Sequence, residues 1–81
     1  MDLNIVLREA VAKVCDVAPE RVTSETELED LGIDSLAVAE IIVELEAALD
    51  CELPIHLFRE LDGVRTVGDV SRELSKALSP S

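Results

Sequence analysis

At 81 residues, 48% of them apolar, the chain has room for one small domain with a core, and a domain of this size buries only about 60% of its unfolded surface. Eighteen acids against seven bases leave a net charge of −11, which repels phosphate backbones and anionic lipid: no nucleic acid and no membrane is expected as a partner, whereas basic protein surfaces fit. With no Trp or Tyr, Phe58 as the one aromatic, and one His beside two Cys, the composition argues against base stacking and cation–π cages and supplies too few ligands for a tetrahedral metal site.

Leu3, Val6, Leu7, Ala10, Val11 and Val14 recur at helical spacing and predict an amphipathic first helix over residues 3 to 16. Pro19 is expected to end it, because the residue before a proline is pushed out of helical geometry. Residues 17 to 34 read as a long polar connection with Val22, Leu28, Leu31 and Ile33 as scattered anchors. A loop of that length in a small domain either packs its apolar residues on the core or has a function. Asp34 or Ser35 suits the N-cap of a second helix running to about Leu49, and Gly32 permits the turn ahead of it. The stretch from Asp50 to Pro54 stops that helix, Ile55 to Leu61 predicts one or two short turns, and Gly63 breaks them. Thr66, with Asp69 three residues on, reads as a capping-box variant before a last helix whose buried stripe is Val67, Val70, Leu74, Ala77 and Leu78. Ser79-Pro80-Ser81 is expected to be a frayed tail. The fold class expected is all-α, a single domain over residues 1 to 81: a small bundle of three longer helices and one short one, with a long loop between helices 1 and 2.

The second helix carries apolar residues on two sides. At 100° per residue, Val38, Ile41, Ile42, Leu45, Ala48 and Leu49 fall together as the core stripe. Leu36, Ala39, Val43 and Ala47 lie opposite, flanked by Glu40, Glu44, Glu46 and Asp50. A helix in a small bundle buries one side, so the second set is expected to face water inside an acidic rim. From Val22 to Phe58 there are ten acids and no Lys or Arg, a field that steers basic partners toward this helix. Plain solvation accounts for a charged face but not for Val43 set among glutamates.

The stretch Leu28-Glu29-Asp30-Leu31-Gly32-Ile33-Asp34-Ser35-Leu36 resembles the acyl carrier proteins, whose Leu-Gly-x-Asp-Ser-Leu motif receives a 4′-phosphopantetheine arm on its serine. The similarity extends to the amphipathic first helix, the long loop, Glu44-Leu45-Glu46, Leu53-Pro54 and Thr66-Val67. The resemblance implies an acyl-carrier-like helical bundle in which Ser35 is the covalent attachment residue. A phosphopantetheinyl transferase would move the arm there from coenzyme A, with Asp34 helping to recruit it. A phosphate at a helix N-terminus meets unpaired N–H groups and the positive end of the dipole, so the position tolerates the modification. The resemblance also makes Asp34, Leu36, Ala39, Glu40, Val43, Glu44 and Ala47 the surface read by acyltransferase, ketosynthase and related enzymes with basic docking patches.

Other sites fall away. An EF-hand loop counted from Asp30 puts Ser35 where glycine is required and Ile41 where glutamate is, so no metal site is assigned, although acid-rich surface can attract divalent cations weakly. A serine hydrolase needs a histidine partner and a Gly-x-Ser-x-Gly turn; the turn is missing, and His56 reads as a surface or boundary residue of the short helix. Cys15 reads as packing at the edge of the first helix and Cys51 as an exposed turn residue, neither with cationic neighbours to activate it.

The reading is a carrier with no catalysis of its own, cytoplasmic, monomeric, with reduced thiols. The acidic start Met1-Asp2-Leu3-Asn4 is no signal peptide, and no apolar run reaches the roughly 18 residues of a membrane span. The chain's span from Met1 to just past the last helix suggests a separate protein, though an excised domain would look the same. Fatty-acid carriers usually continue Asp-x-Val-Glu after the Ser-Leu pair, whereas this chain reads Ala37-Val38-Ala39-Glu40, and its segment Leu57 to Val64 is slightly longer than theirs. Those departures favour polyketide or related specialised biosynthesis over fatty-acid synthesis. Asp34, where peptidyl carriers more often have glycine, argues against a nonribosomal peptide role. Two readings from other classes remain: an acidic adaptor with no prosthetic group, and a small enzyme using Ser35 as nucleophile.

Overall fold

Helix α1 spans Leu3–Cys15, entered by Asp2, whose side chain accepts from the Asn4 N–H at 3.0 Å. The structure is a computed structural model that describes residues 2–54, 56–61 and 63–78, and of these all side chains but that of Phe58. Pro19 does not end α1: Asp16 adopts left-handed geometry (φ 57°), and the N–H groups of Asp16 and Val17 both return to the Ala12 carbonyl. A short polar side chain tolerates that region and closes the last turn. Ala12, outside the expected stripe, is buried as well, because the loop after α1 folds back over it.

The connection to the second helix contains two 3-10 turns, Pro19–Arg21 and Glu29–Leu31. Val22 is 1% exposed, and Leu28, Leu31 and Ile33 pack partly buried against the core, so all four expected anchors hold the loop down. Its middle is pinned to the start of the last helix: Leu28 N–H donates to the Arg65 carbonyl, Val67 N–H to Thr26, and Gly68 N–H to Ser24, at 2.8–2.9 Å. An isolated antiparallel bridge joins Glu27 and Thr66.

Helix α2 runs Ser35–Leu49 and stops at Asp50, which repeats the left-handed device of Asp16 (φ 52°). The short helix α3 is His56–Glu60; Ile55, expected at its start, lies outside the described residues, as do residues 79–81. Gly63 (φ 95°) turns the chain toward α4, Val67–Leu78. The capping box is reciprocal: Asp69 N–H donates to Thr66 Oγ1 at 3.2 Å, and the Asp69 carboxylate accepts from the Thr66 N–H at 3.3 Å and the Arg65 N–H at 3.2 Å. Those backbone N–H groups, Arg65 first and then Thr66, hold its carboxyl below the usual carboxylate range.

The core gathers Leu7 and Val11 from α1, Val22 from the loop, Leu45 from α2, Leu57 from α3 and Leu74 from α4, each almost inaccessible. The bundle of three longer helices and one short one is thus as expected, with two side chains displaced. Ala48 is exposed at the rim of the α1/α2 seam rather than in the core stripe, and Leu78 is 37% exposed as α4 runs past the last layer it can cover.

Candidate functional site

The site is built at the start of α2 by the loop before it. The 3-10 turn at Glu29–Leu31 closes through Gly32, whose φ of 72° is a conformation glycine adopts without strain. Ile33 N–H then returns to the Leu28 carbonyl at 3.0 Å, and Ile33 packs on the core. Asp34 is left extended, its Oδ1 accepting from the Ala37 N–H at 2.9 Å and its carbonyl from the Val38 N–H at 3.0 Å. The cap of α2 is therefore Asp34. Ser35, the first helical residue, is exposed, and its hydroxyl makes no hydrogen bond among the described residues. The backbone N–H groups of Ser35 and Leu36 lie in the first turn, where no intrahelical carbonyl serves them.

Ser35 lines an open groove of about 940 Å³ between the 27–33 loop, the start of α2 and the 59–65 segment. Leu28, Ile33, Val38, Leu61 and Val64 make its apolar floor. Glu27, Glu29, Asp34, Arg59 and Arg65 stand around it, with Arg65 reaching Glu27 at 3.3 Å. Behind the floor the core holds a void of only about 20 Å³, bounded by Val11, Ile41, Leu45 and Val70 among others.

Down the outer face of α2, Leu36, Glu40, Val43 and Ala47 follow one another at helical spacing and are all exposed, Leu36 by 68% and Val43 by 61%. These two apolar side chains in water, with Glu40 between them, match the expected second face. Two members of the expected surface differ. Ala39 is half-buried, and Glu44 is half-buried with its carboxylate on Lys13 Nζ at 3.1 Å, because α1 packs closely along that side of α2. Glu46, expected on the acidic rim, turns instead to accept from the Leu53 N–H at 2.9 Å and ties down the loop after α2.

Cys15 is partly buried, which pushes its thiol above the usual range, and Cys51 is exposed, both free. His56 is exposed at the start of α3. Among the described residues no three His, Cys, Asp or Glu side chains converge on a metal position, and no helix is long and apolar enough to cross a membrane. Sequence reading overlooked Lys13, Arg59 and Arg65. They are distant in the chain from the Asp34-Ser35 pair, and the signal that could have found the two arginines is that no other cation occurs between Arg21 and Arg72.

The sequence model of the family described as "phosphopantetheine attachment site" matches residues 6–74. The chain is 40% identical over 67 residues to an acyl carrier protein of Wolinella succinogenes, covering 82% of this chain and 84% of that protein. It is 40% identical over 65 residues to an acyl carrier protein of Clostridium perfringens, 79% and 82% of the two chains. A non-reducing polyketide synthase of Monascus ruber is 34% identical over 80 residues, 99% of this chain but 3% of the synthase.

Proposed function

We infer the roles of the site residues from one premise: the chain belongs to the acyl carrier protein family, with a phosphopantetheine attachment domain over most of its length. Carriers of this family are not themselves catalysts; they work with biosynthetic enzymes. The reading proposed is a carrier over residues 1–81 in which Ser35 bears the 4′-phosphopantetheine group. The observation that carries it is the exposed Ser35 hydroxyl, relieved of capping by Asp34 and open to a groove. The residues present fit the group: the first-turn N–H groups of α2 suit a phosphate ester, and the groove beside them falls in the roughly 300–1,000 Å³ range of small-molecule sites. When bound, the group supplies a thiol that holds acyl units as thioesters.

This chain's part in the attachment is that of a nucleophile. Ser35 Oγ forms a bond to the pantetheine-bearing phosphorus of coenzyme A, adenosine 3′,5′-bisphosphate leaves with the electron pair of the broken P–O bond, and the hydroxyl proton passes to the transferase. Asp34 orients Ser35 by fixing the first turn and adds negative charge for a basic transferase to read. Leu36, Glu40, Val43 and Ala47, with Ala39 and Glu44 at the edge, form the docking face for acyltransferase, ketosynthase or related enzymes: exposed apolar side chains supply contact area, and acids supply steering. The pathway favoured is polyketide biosynthesis, supported by the match to a polyketide synthase over nearly the whole chain. A cytoplasmic monomer is the form proposed.

The experiment is intact-protein mass measurement after incubation with coenzyme A and a broad-specificity transferase. Wild type gains one phosphopantetheinyl group and Ser35→Ala gains none while remaining helical; a gain in Ser35→Ala, or none in folded wild type, overturns the assignment.

A further inference from the structure

Where α1 and α2 run side by side, the bundle leaves an open groove of about 480 Å³ that the Ser35 site does not use. Val6 and Ala10 of α1 form its buried apolar floor. Ile5 of α1, 46% exposed, and Ala48 of α2 flank that floor. Ala48 belongs to the apolar arc of α2 by its spacing, yet it is left in water among the described residues. From this we infer that the seam is a second docking groove, for a basic amphipathic helix of a partner protein. It shares only Glu44 with the docking face proposed on the outer side of α2 and needs no group on Ser35.

Charge selects the occupant. Asp2, Glu9 and Glu44 line the groove with a single base, Lys13, whose ammonium is already on Glu44 at 3.1 Å. Glu9 has no ion pair among the described residues. A negative rim around an apolar floor repels anionic lipid and attracts Lys and Arg. A second copy of this chain is a poor occupant, because a two-fold pairing would set the same three carboxylates against their equivalents on two molecules of charge −11. A small ligand is a poor one too, since such molecules are held with roughly 70–90% of their surface buried and this groove is open. Shape then selects a helix. The two helices run antiparallel along the seam, Lys13 meeting Glu44 while Val14 lies with Ala39. From Ile5 to Lys13 α1 advances about 12 Å, a little over two turns. A helix of that length lays apolar anchors at i, i+4 and i+7 on the floor and carries its cations on the flanks. Ala48 is about 20 Å along α2 from Ser35, so a partner held in the seam leaves the start of α2 free for a second enzyme.

The test titrates the full ¹⁵N-labelled chain, at about 0.15 M salt, with a synthetic peptide of about twelve residues bearing leucines on one helical face and lysines on its flanks. A peptide of the same composition, with its leucines spread around the helix, is the control. Backbone amide shifts from the patterned peptide should centre on Ile5, Glu9, Lys13 and Ala48. Ile5→Asp should weaken its binding at least about fivefold although the variant adds an acid, as loss of an apolar anchor does and loss of plain attraction does not. Ala48→Gln, which fills the groove from an exposed position without changing charge, should weaken it as well, and circular dichroism confirms the fold of both variants. Equal affinity for the patterned and control peptides overturns the inference, as do shifts centred on Leu36, Val43 and Ala47. Seam shifts that appear on concentrating the protein alone would assign the groove to a second copy and overturn it too. None of these results bears on the attachment at Ser35, which the mass measurement tests separately.

Discussion

Replacing Gly68 with alanine tests how the loop that delivers Ser35 is held in place. A Cβ at Gly68 would lie 2.8 Å from the Ser24 carbonyl oxygen and 3.2 Å from the Ser24 Cβ, in the first turn of α4. An ordinary C–H···O separation begins near ~3.3 Å, so loop and helix must part by about half an ångström. That same oxygen accepts the Gly68 N–H at 2.8 Å, and beside it Thr26 accepts from Val67 at 2.9 Å. Two such bonds are together worth about 1–3 kcal/mol, and the higher helix propensity of alanine returns less than about 1 kcal/mol in a first turn. The net loss expected is about 1–2 kcal/mol, a fall in Tm of roughly 4–16 °C for a domain of this size. Far-UV circular dichroism during heating reads it, and hydrogen exchange at Val67 and Gly68 should accelerate. A variant that melts at or above the wild-type temperature would refute the packing of the loop on α4 and, with it, the account of how Ser35 is positioned.

Val43→Asp should leave the unfolding free energy within about 0.5 kcal/mol of wild type, as for other open surface positions, while weakening binding to a basic partner enzyme; unfolding would show that Val43 is core. Asp34→Ala removes the 2.9 Å cap on Ala37 and should cost about 1 kcal/mol in denaturant titration, whereas Asp34→Asn, which can still cap, should keep most of that stability and slow loading by the transferase. Equal loading rates for Asp34→Asn and wild type would remove Asp34 from recruitment. Asp69, whose carboxyl the Arg65 and Thr66 N–H groups hold low, contributes stability that is present above the ordinary carboxylate range and lost as pH falls through its lowered value. Asp69→Asn should therefore melt below wild type at pH 7, with the gap closing in acid; a gap that widens on acidification contradicts the sign.

Most of the bundle is visible in the chain because its signals are local. The stripe from Leu3 to Val14, the Asp34 cap and the Thr66/Asp69 box each fix an element within a few residues, and the structure draws all three. The end of α1 was less legible: Pro19 is the louder breaker, but the left-handed Asp16 acts first, and a helical wheel carries no information on that choice. Ala48 misled for a related reason, since the wheel gives direction but not how far the neighbouring helix extends to cover it. At the site, it is the resemblance carried by Leu31 to Leu36 that points to Ser35, whereas helical spacing alone gives the exposed outer positions Leu36, Glu40, Val43 and Ala47. The pairing of Glu44 with Lys13, the turn of Glu46 to Leu53, and the arrival of Arg59 and Arg65 in the groove that Ser35 lines depend on contacts between segments, which no local pattern encodes.

The central claim is that a single hydroxyl is the tether. Because no Lys or Arg lies between Val22 and Phe58, trypsin releases one peptide, Val22 to Arg59, whose only serines are Ser24 and Ser35. Fragmentation of that peptide from loaded protein should place the added phosphopantetheinyl mass on Ser35, with fragments ending before it unmodified. Added mass on Ser24, or on a peptide outside this stretch, would contradict the account.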